Sequence, residues 1–148
     1  HIKIKPEIGI ILGSGLGGIA DAIENPVTIN YKDIPNFKSS TAPDHMGRFV
    51  TGRLAGKNVI CMQGRLHYYE EYSLEDVVYP VRVMKLLGVK TLNVTNAAGG
   101  INESFNSGDI MLIRDSIPLA FSSPLPRVFI SLYLFFIALA TATAASGE

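Results

Sequence analysis

The sequence predicts an α/β fold, a mixed β-sheet flanked by helices. Two observations carry this expectation. Short apolar runs with strand character alternate with helix-like segments, and one pair of strand-like runs is close enough to form a hairpin. A third observation sets the limits of the domain. Charges and turn residues are interspersed up to Ile117, whereas residues 128–147 carry no charge at all. The chain therefore divides into residues 1–117 and an apolar tail, 118–148, of unrelated composition.

The elements follow in order. "EIGIIL", residues 7–12, is a short apolar run that breaks into glycine, as a buried strand does. "LGGIADAIEN" reads as a short amphipathic helix beginning near Leu16, and "VTINY" alternates like a second strand. "KDIPNFKSSTAPDHMG" has two prolines and many polar residues, so it is a loop. "RFVTGRL" and "KNVICMQ", joined by "AGK", predict a hairpin. "GRLHYYEEYS" is an aromatic, polar loop. Ser73 then opens Ser-x-x-Asp76, a helix-start signal, and Val77, Val81, Met84 and Leu87 share a face. Pro80 should kink or delay that helix, and Gly88 should cap its end. "VKTLNVT" and "DIMLIR" are further strands, separated by the small-residue turn "NAAGG". There is no internal repeat.

Composition excludes several classes. The 148 residues suffice for one domain with a core, and the formal net charge of +0 leaves no footprint for nucleic acid. A single cysteine allows neither an internal disulfide nor a cysteine zinc cage, and its place in "VICMQ" makes Cys61 a buried, inert thiol. No secretory signal opens the sequence, so residues 1–117 read as a soluble protein of a reducing compartment.

Three stretches carry chemistry. Gly13-x-Gly15-x-x-Gly18 follows a strand, and Asp33 lies twenty residues after Gly13, as in a dinucleotide fingerprint. The glycines alone equally fit close helix–strand packing. Ser14 tilts the balance toward a simple anion, because its hydroxyl could join backbone N–H donors on a phosphate. In "QGRLHYYE", Arg65, His67 and Tyr69 alternate just after a strand, which would turn a guanidinium, an imidazole and a phenol to one side. Guanidinium matches phosphate oxygens in a forked geometry, and a phenol suits a sugar. "VTNAAGG" ends a strand in small residues that let a ligand approach the backbone. All three stretches follow strands, and ligands of open α/β sheets bind at the carboxyl ends of strands. His45, in "DHMGR", is a loop histidine that is either merely solvated or a neighbour of the bound anion.

"GSGLG", "HMGRFVTGRL", "MQGRLHYYE", "PVRVMKLLGV", "TNAAGGIN" and "GDIMLIRD" occur in this order. Together, from about Ile8 to Ile117, they resemble the trimeric class of purine nucleoside phosphorylases. The resemblance implies a nucleoside phosphorylase-like three-layer α/β/α fold and phosphorolysis of purine nucleosides to free base and ribose 1-phosphate. It implies Ser14, Arg65, His67, the backbone N–H of Ala97, and His45 at the phosphate. It places Tyr69 on the ribose, with His67 and Tyr69 as the catalytic side chains. It also implies a homotrimer in the intact family, a cytoplasmic location and no metal or organic cofactor, inorganic phosphate being the co-substrate. Asp33 then becomes an ordinary loop residue.

The departure lies in the tail. The family's later half supplies a glutamate and an asparagine for the purine, and after Ile117 the sequence has no Asn and only the terminal acid Glu148. The sequence therefore reads as a truncated phosphorylase. Three readings of the tail compete: an aberrant end, a membrane helix or an apolar cover for the core. For the second, 18 uncharged residues from Val128 to Ala145 would give about 27 Å of helix. The alternative function is a non-catalytic remnant that binds phosphate or associates with intact subunits.

Overall fold

The computed structural model describes residues 4–38, 46–67, 70–99 and 102–113, and the backbone of 133–141. Seven strands form one mixed sheet: β1 (Ile8–Leu12), β2 (Glu24–Asn30), β3 (Arg48–Leu54), β4 (Lys57–Gln63), β5 (Thr91–Gly99), β6 (Ile110–Ile113) and β7 (Tyr133–Thr141). Their order across the sheet is β2-β3-β4-β1-β5-β7-β6. The central strand β1 runs parallel to both β4 and β5, and β5 runs parallel to β7. The edge pairs β2–β3 and β6–β7 are antiparallel, as is β3–β4.

Alternation along the strands divides the core between two faces. Ile11, Phe49, Ile60, Met62 and Leu92 point to one face, where the helix α1 (Leu74–Leu86) brings Met84. Leu12, Val50, Val59 and Cys61 point to the other, against Ala20 and Ile23. Tyr31, Phe37 and Phe49 stack on the first face with ring centroids 4.6–5.5 Å apart, within the range for favourable tilted contacts. Helical segments therefore lie on both faces of the sheet.

The ends of α1 follow the sequence signals. The Ser73 hydroxyl accepts the Asp76 N–H at 3.1 Å. At the other end, the N–H groups of Gly88 and Val89 donate to the carbonyls of Lys85 and Met84, a Schellman closure with Gly88 at φ +108°. Pro80 delays nothing. The helix starts at Leu74, directly after its cap, and Pro80 is buried within it.

Three local expectations are corrected. Residues 96–99, expected as a turn, are the end of β5, because they pair with residues 138–141 of β7. The segment after β1 is a 3-10 helix of six residues, Gly17–Ala22, rather than an amphipathic α-helix. Two glycines open it and β2 begins at Glu24, which leaves too few residues to nucleate an α-helix. Residues 133–141 of the tail form a strand between β5 and β6, so the membrane-helix reading does not hold there. Among the described residues, no helix is long and apolar enough to cross a membrane.

Candidate functional site

The three strands that end in chemistry are neighbours. β4, β1 and β5 lie side by side and run parallel, so their carboxyl ends open on one edge. β1 stops at Leu12 and the chain turns at Gly13, with the Leu16 N–H donating to the Gly13 carbonyl. Ser14 is exposed on that turn. A Cβ on Gly13 would sit 2.5 Å from the Thr95 carbonyl oxygen and 2.7 Å from the Asn96 Cα, so glycine is needed there for the turn to approach β5.

Thr95 ties these parts together. Its hydroxyl accepts the Gly13 N–H at 2.9 Å and donates to the Ile11 carbonyl at 2.9 Å. Its backbone carbonyl accepts Nη1 of Arg65 at 3.2 Å. Arg65 follows β4, and Thr95 is on β5. The guanidinium thus reaches across the end of β1, a span of two strand spacings or about 9–10 Å.

Ala97 belongs to the same edge. The Thr91 N–H donates to the Glu7 carbonyl, on the β1 side of β5. Peptide groups alternate edges along a strand, so those of Thr95 and Ala97 face that side too. β1–β5 pairing stops at Val94. The Ala97 N–H therefore faces the β1 side of β5, beyond the last ladder pair.

The loop carrying Arg65 is held at its root. The Tyr31 hydroxyl donates to the Gly64 carbonyl at 2.7 Å, and burial pushes the Tyr31 phenol above its ordinary range. Gln63, 6% exposed, donates Nε2 to the Gly17 carbonyl at 2.9 Å and accepts Nε of Arg48 at 2.7 Å, linking β3, β4 and the glycine segment. At His67 the segment closes on itself. The His67 N–H donates to the Glu70 carboxylate at 2.9 Å, and the Glu70 N–H donates to the His67 carbonyl at 3.0 Å.

Ser14, Arg65 and Ala97 thus lie at one edge of the sheet, with His67 two residues beyond Arg65. His45 and Tyr69 lie outside the described residues. Sequence reasoning missed Thr95, Gln63 and Glu70. Thr95 stood inside the quoted "VTNAAGG", but a threonine in a strand reads first as β-propensity.

The dinucleotide reading fares poorly. In a dinucleotide fold the ribose-binding acid ends the strand next to β1. Here β3 and β4 separate β2 from β1, and Asp33 accepts the Asn30 side-chain amide at an exposed turn. Among the described residues, no three His, Cys, Asp or Glu side chains cluster as metal ligands. A cleft of about 330 Å³ lined by Ile4, Glu24, Val27, Thr51 and Arg53 lies at the opposite ends of these strands, away from the predicted residues.

The model of the phosphorylase superfamily matches residues 7–145. The chain is 58% identical over 125 residues to purine nucleoside phosphorylase 1 of Bacillus subtilis (strain 168), covering 84% of this chain and 46% of the relative. To the purine nucleoside phosphorylase of Rattus norvegicus it is 55% identical over 119 residues, 80% of this chain and 41% of the relative. Among solved structures it is similar to the Schistosoma mansoni purine nucleoside phosphorylase in complex with inosine. The TM-score is 0.68 at 50% identity, covering 75% of this chain and 38% of that one. It is similar too to a purine nucleoside phosphorylase in complex with ribose-1-phosphate, with a TM-score of 0.69 at 53% identity over 75% of this chain and 41% of that one. The fold is therefore the three-layer α/β arrangement of nucleoside phosphorylases. The chain spans less than half the length of these relatives.

Proposed function

The chain belongs to the phosphorylase superfamily, and from that premise we propose that its strand-end crevice holds inorganic phosphate for the phosphorolysis of purine nucleosides. The products are free purine base and ribose 1-phosphate. The observation that carries this reading is the Arg65 guanidinium lying across the end of β1, beside the Ser14 turn and the Ala97 N–H.

Charge dictates the division of labour. Breaking the bond between ribose and purine builds positive charge on the sugar, as in other glycosyl transfers. A phosphate fixed beneath the sugar stabilises that charge and then bonds to the anomeric carbon. The electron pair of the broken bond leaves with the purine. Catalysis of this kind is positioning and electrostatics. Arg65 supplies the forked donor, Ser14 a hydroxyl, Ala97 a backbone N–H and His67 an imidazole. His45 stands beside the phosphate, and Tyr69 meets the ribose. His67 and Tyr69 are the side chains assigned to catalysis. No metal or organic cofactor enters the scheme. A homotrimer in the cytoplasm is the setting the resemblance suggests.

Arg65→Ala tests the site. Each charge-assisted hydrogen bond lost costs about 1.5–3 kcal/mol, so phosphate affinity measured by calorimetric titration should fall at least about tenfold. Unchanged affinity in a folded variant overturns the assignment. A second reading is a non-catalytic protein that binds phosphate or joins intact subunits. Release of hypoxanthine from inosine separates the two.

A further inference from the structure

We propose that Thr95 is the positioning residue of the anion site, a role that rests on the phosphate reading above. The ladder between β1 and β5 ends at the pair Ile11–Val94. Beyond it the Thr95 hydroxyl takes over, bonding the Ile11 carbonyl on one side of Leu12 and the Gly13 N–H on the other, each at 2.9 Å. The turn that presents Ser14 therefore leaves β1 at an angle set by one side chain of β5. The same residue's carbonyl accepts Arg65 at 3.2 Å. One buried threonine, 4% exposed, thus fixes two arms of the crevice relative to each other.

Packing alone does not call for the hydroxyl. Valine has nearly the same shape and suits a strand equally well. It would leave the partly buried Gly13 N–H without its side-chain partner and take one of two donors from the Ile11 carbonyl. It would also free the Ser14 turn from β5 while Arg65 stayed. The hydroxyl is thus the feature that converts strand geometry into donor geometry. Preorganised donors are what an anion site of this chemistry needs.

The test uses the full chain and inorganic phosphate. Thr95→Val should weaken phosphate binding about tenfold or more, and Thr95→Ser should stay within about threefold of the parent. Ser14→Ala should weaken the parent but change the Thr95→Val variant less than about twofold, because the turn is already out of place. A merely structural threonine would give additive losses. Parent-like binding by Thr95→Val, or additive losses, overturns the role. A parent chain that binds no phosphate sinks the phosphate reading itself. Should Thr95→Val not fold, amide exchange in the parent decides. A Gly13 N–H protected like the core strands supports the latch, and exchange at the rate of a surface loop overturns it.

Discussion

One added carbon at Gly13 probes how closely the crevice is built. The Cβ of Gly13→Ala would press 2.5 Å from the Thr95 carbonyl oxygen, the atom that receives Arg65. The atoms in its way are backbone, so the strand end must move and the guanidinium with it. Overpacking of this kind costs about 1–3 kcal/mol. Phosphate affinity should fall about tenfold alongside a lower urea midpoint, and a variant that binds like the parent would show the close approach to be incidental. Titration reports a second residue-scale effect. Burial pushes the Cys61 thiol up from 9.0 to about 12. Above pH 9 the unfolded chain releases a proton that the folded chain keeps. Stability from this group is whole below pH 9 and is lost as pH rises toward 12. Tyr31, raised by burial from 10.0, acts in the same direction above pH 10. Urea unfolding should therefore show stability declining from pH 8 to pH 10.5, less steeply in Cys61→Ala; identical slopes would rule out the contribution. At pH 8 Cys61 should resist thiol reagents until the chain unfolds.

Strand β7 carries the prediction at the scale of elements. It pairs with β5 over nine residues, Thr91–Gly99 against Tyr133–Thr141, and with all four residues of β6. Deleting residues 118–148 strips β5 of that partner and β6 of its place in the sheet. An unpaired central edge is a template for aggregation, so the shortened chain should give less soluble protein and a lower unfolding midpoint. Equal solubility and midpoint would remove β7 from the sheet. Most of the fold was legible because β1, β3 and β4 alternate apolar residues between two packed faces. The start of β2 was not. Glu24 and Asn25 read as the end of a helix, yet β2 begins at Glu24 as an edge strand with a register shift between Glu24 and Val27, where Pro26 costs no ladder bond. Tyr31 looked like the last residue of that strand and is instead the buried anchor of the Arg65 loop. The places of Ser14 and Arg65 just past strand ends were legible because each follows an apolar run that breaks into glycine. Thr95 and Gln63 were not, because their side chains bond backbone groups 46 to 84 residues away in sequence.

At the scale of the whole molecule, the distribution of donors bears on turnover. The donors proposed for phosphate come from the ends of β1, β4 and β5, all within the first 100 residues. The leaving purine needs a different set. As its bond to ribose breaks, negative charge develops on the ring, and only interactions that strengthen at that point accelerate the reaction. The resemblance assigns them to a glutamate and an asparagine, and after Ile117 the sequence has neither an asparagine nor an acid before Glu148. The bacterial relative, by contrast, is more than twice as long as the part this chain covers, since that part is 46% of it. A polypeptide of these 148 residues should therefore bind phosphate yet release hypoxanthine from inosine far more slowly than the enzyme median of about 10 per second. The assay is the purified chain with inosine and phosphate, followed by hypoxanthine formation, with Arg65→Ala as the control for background. Turnover near the median that Arg65→Ala abolishes would mean that a purine site is assembled from this chain or from a second copy, and the separation of phosphate and purine chemistry argued from the strand ends would fail.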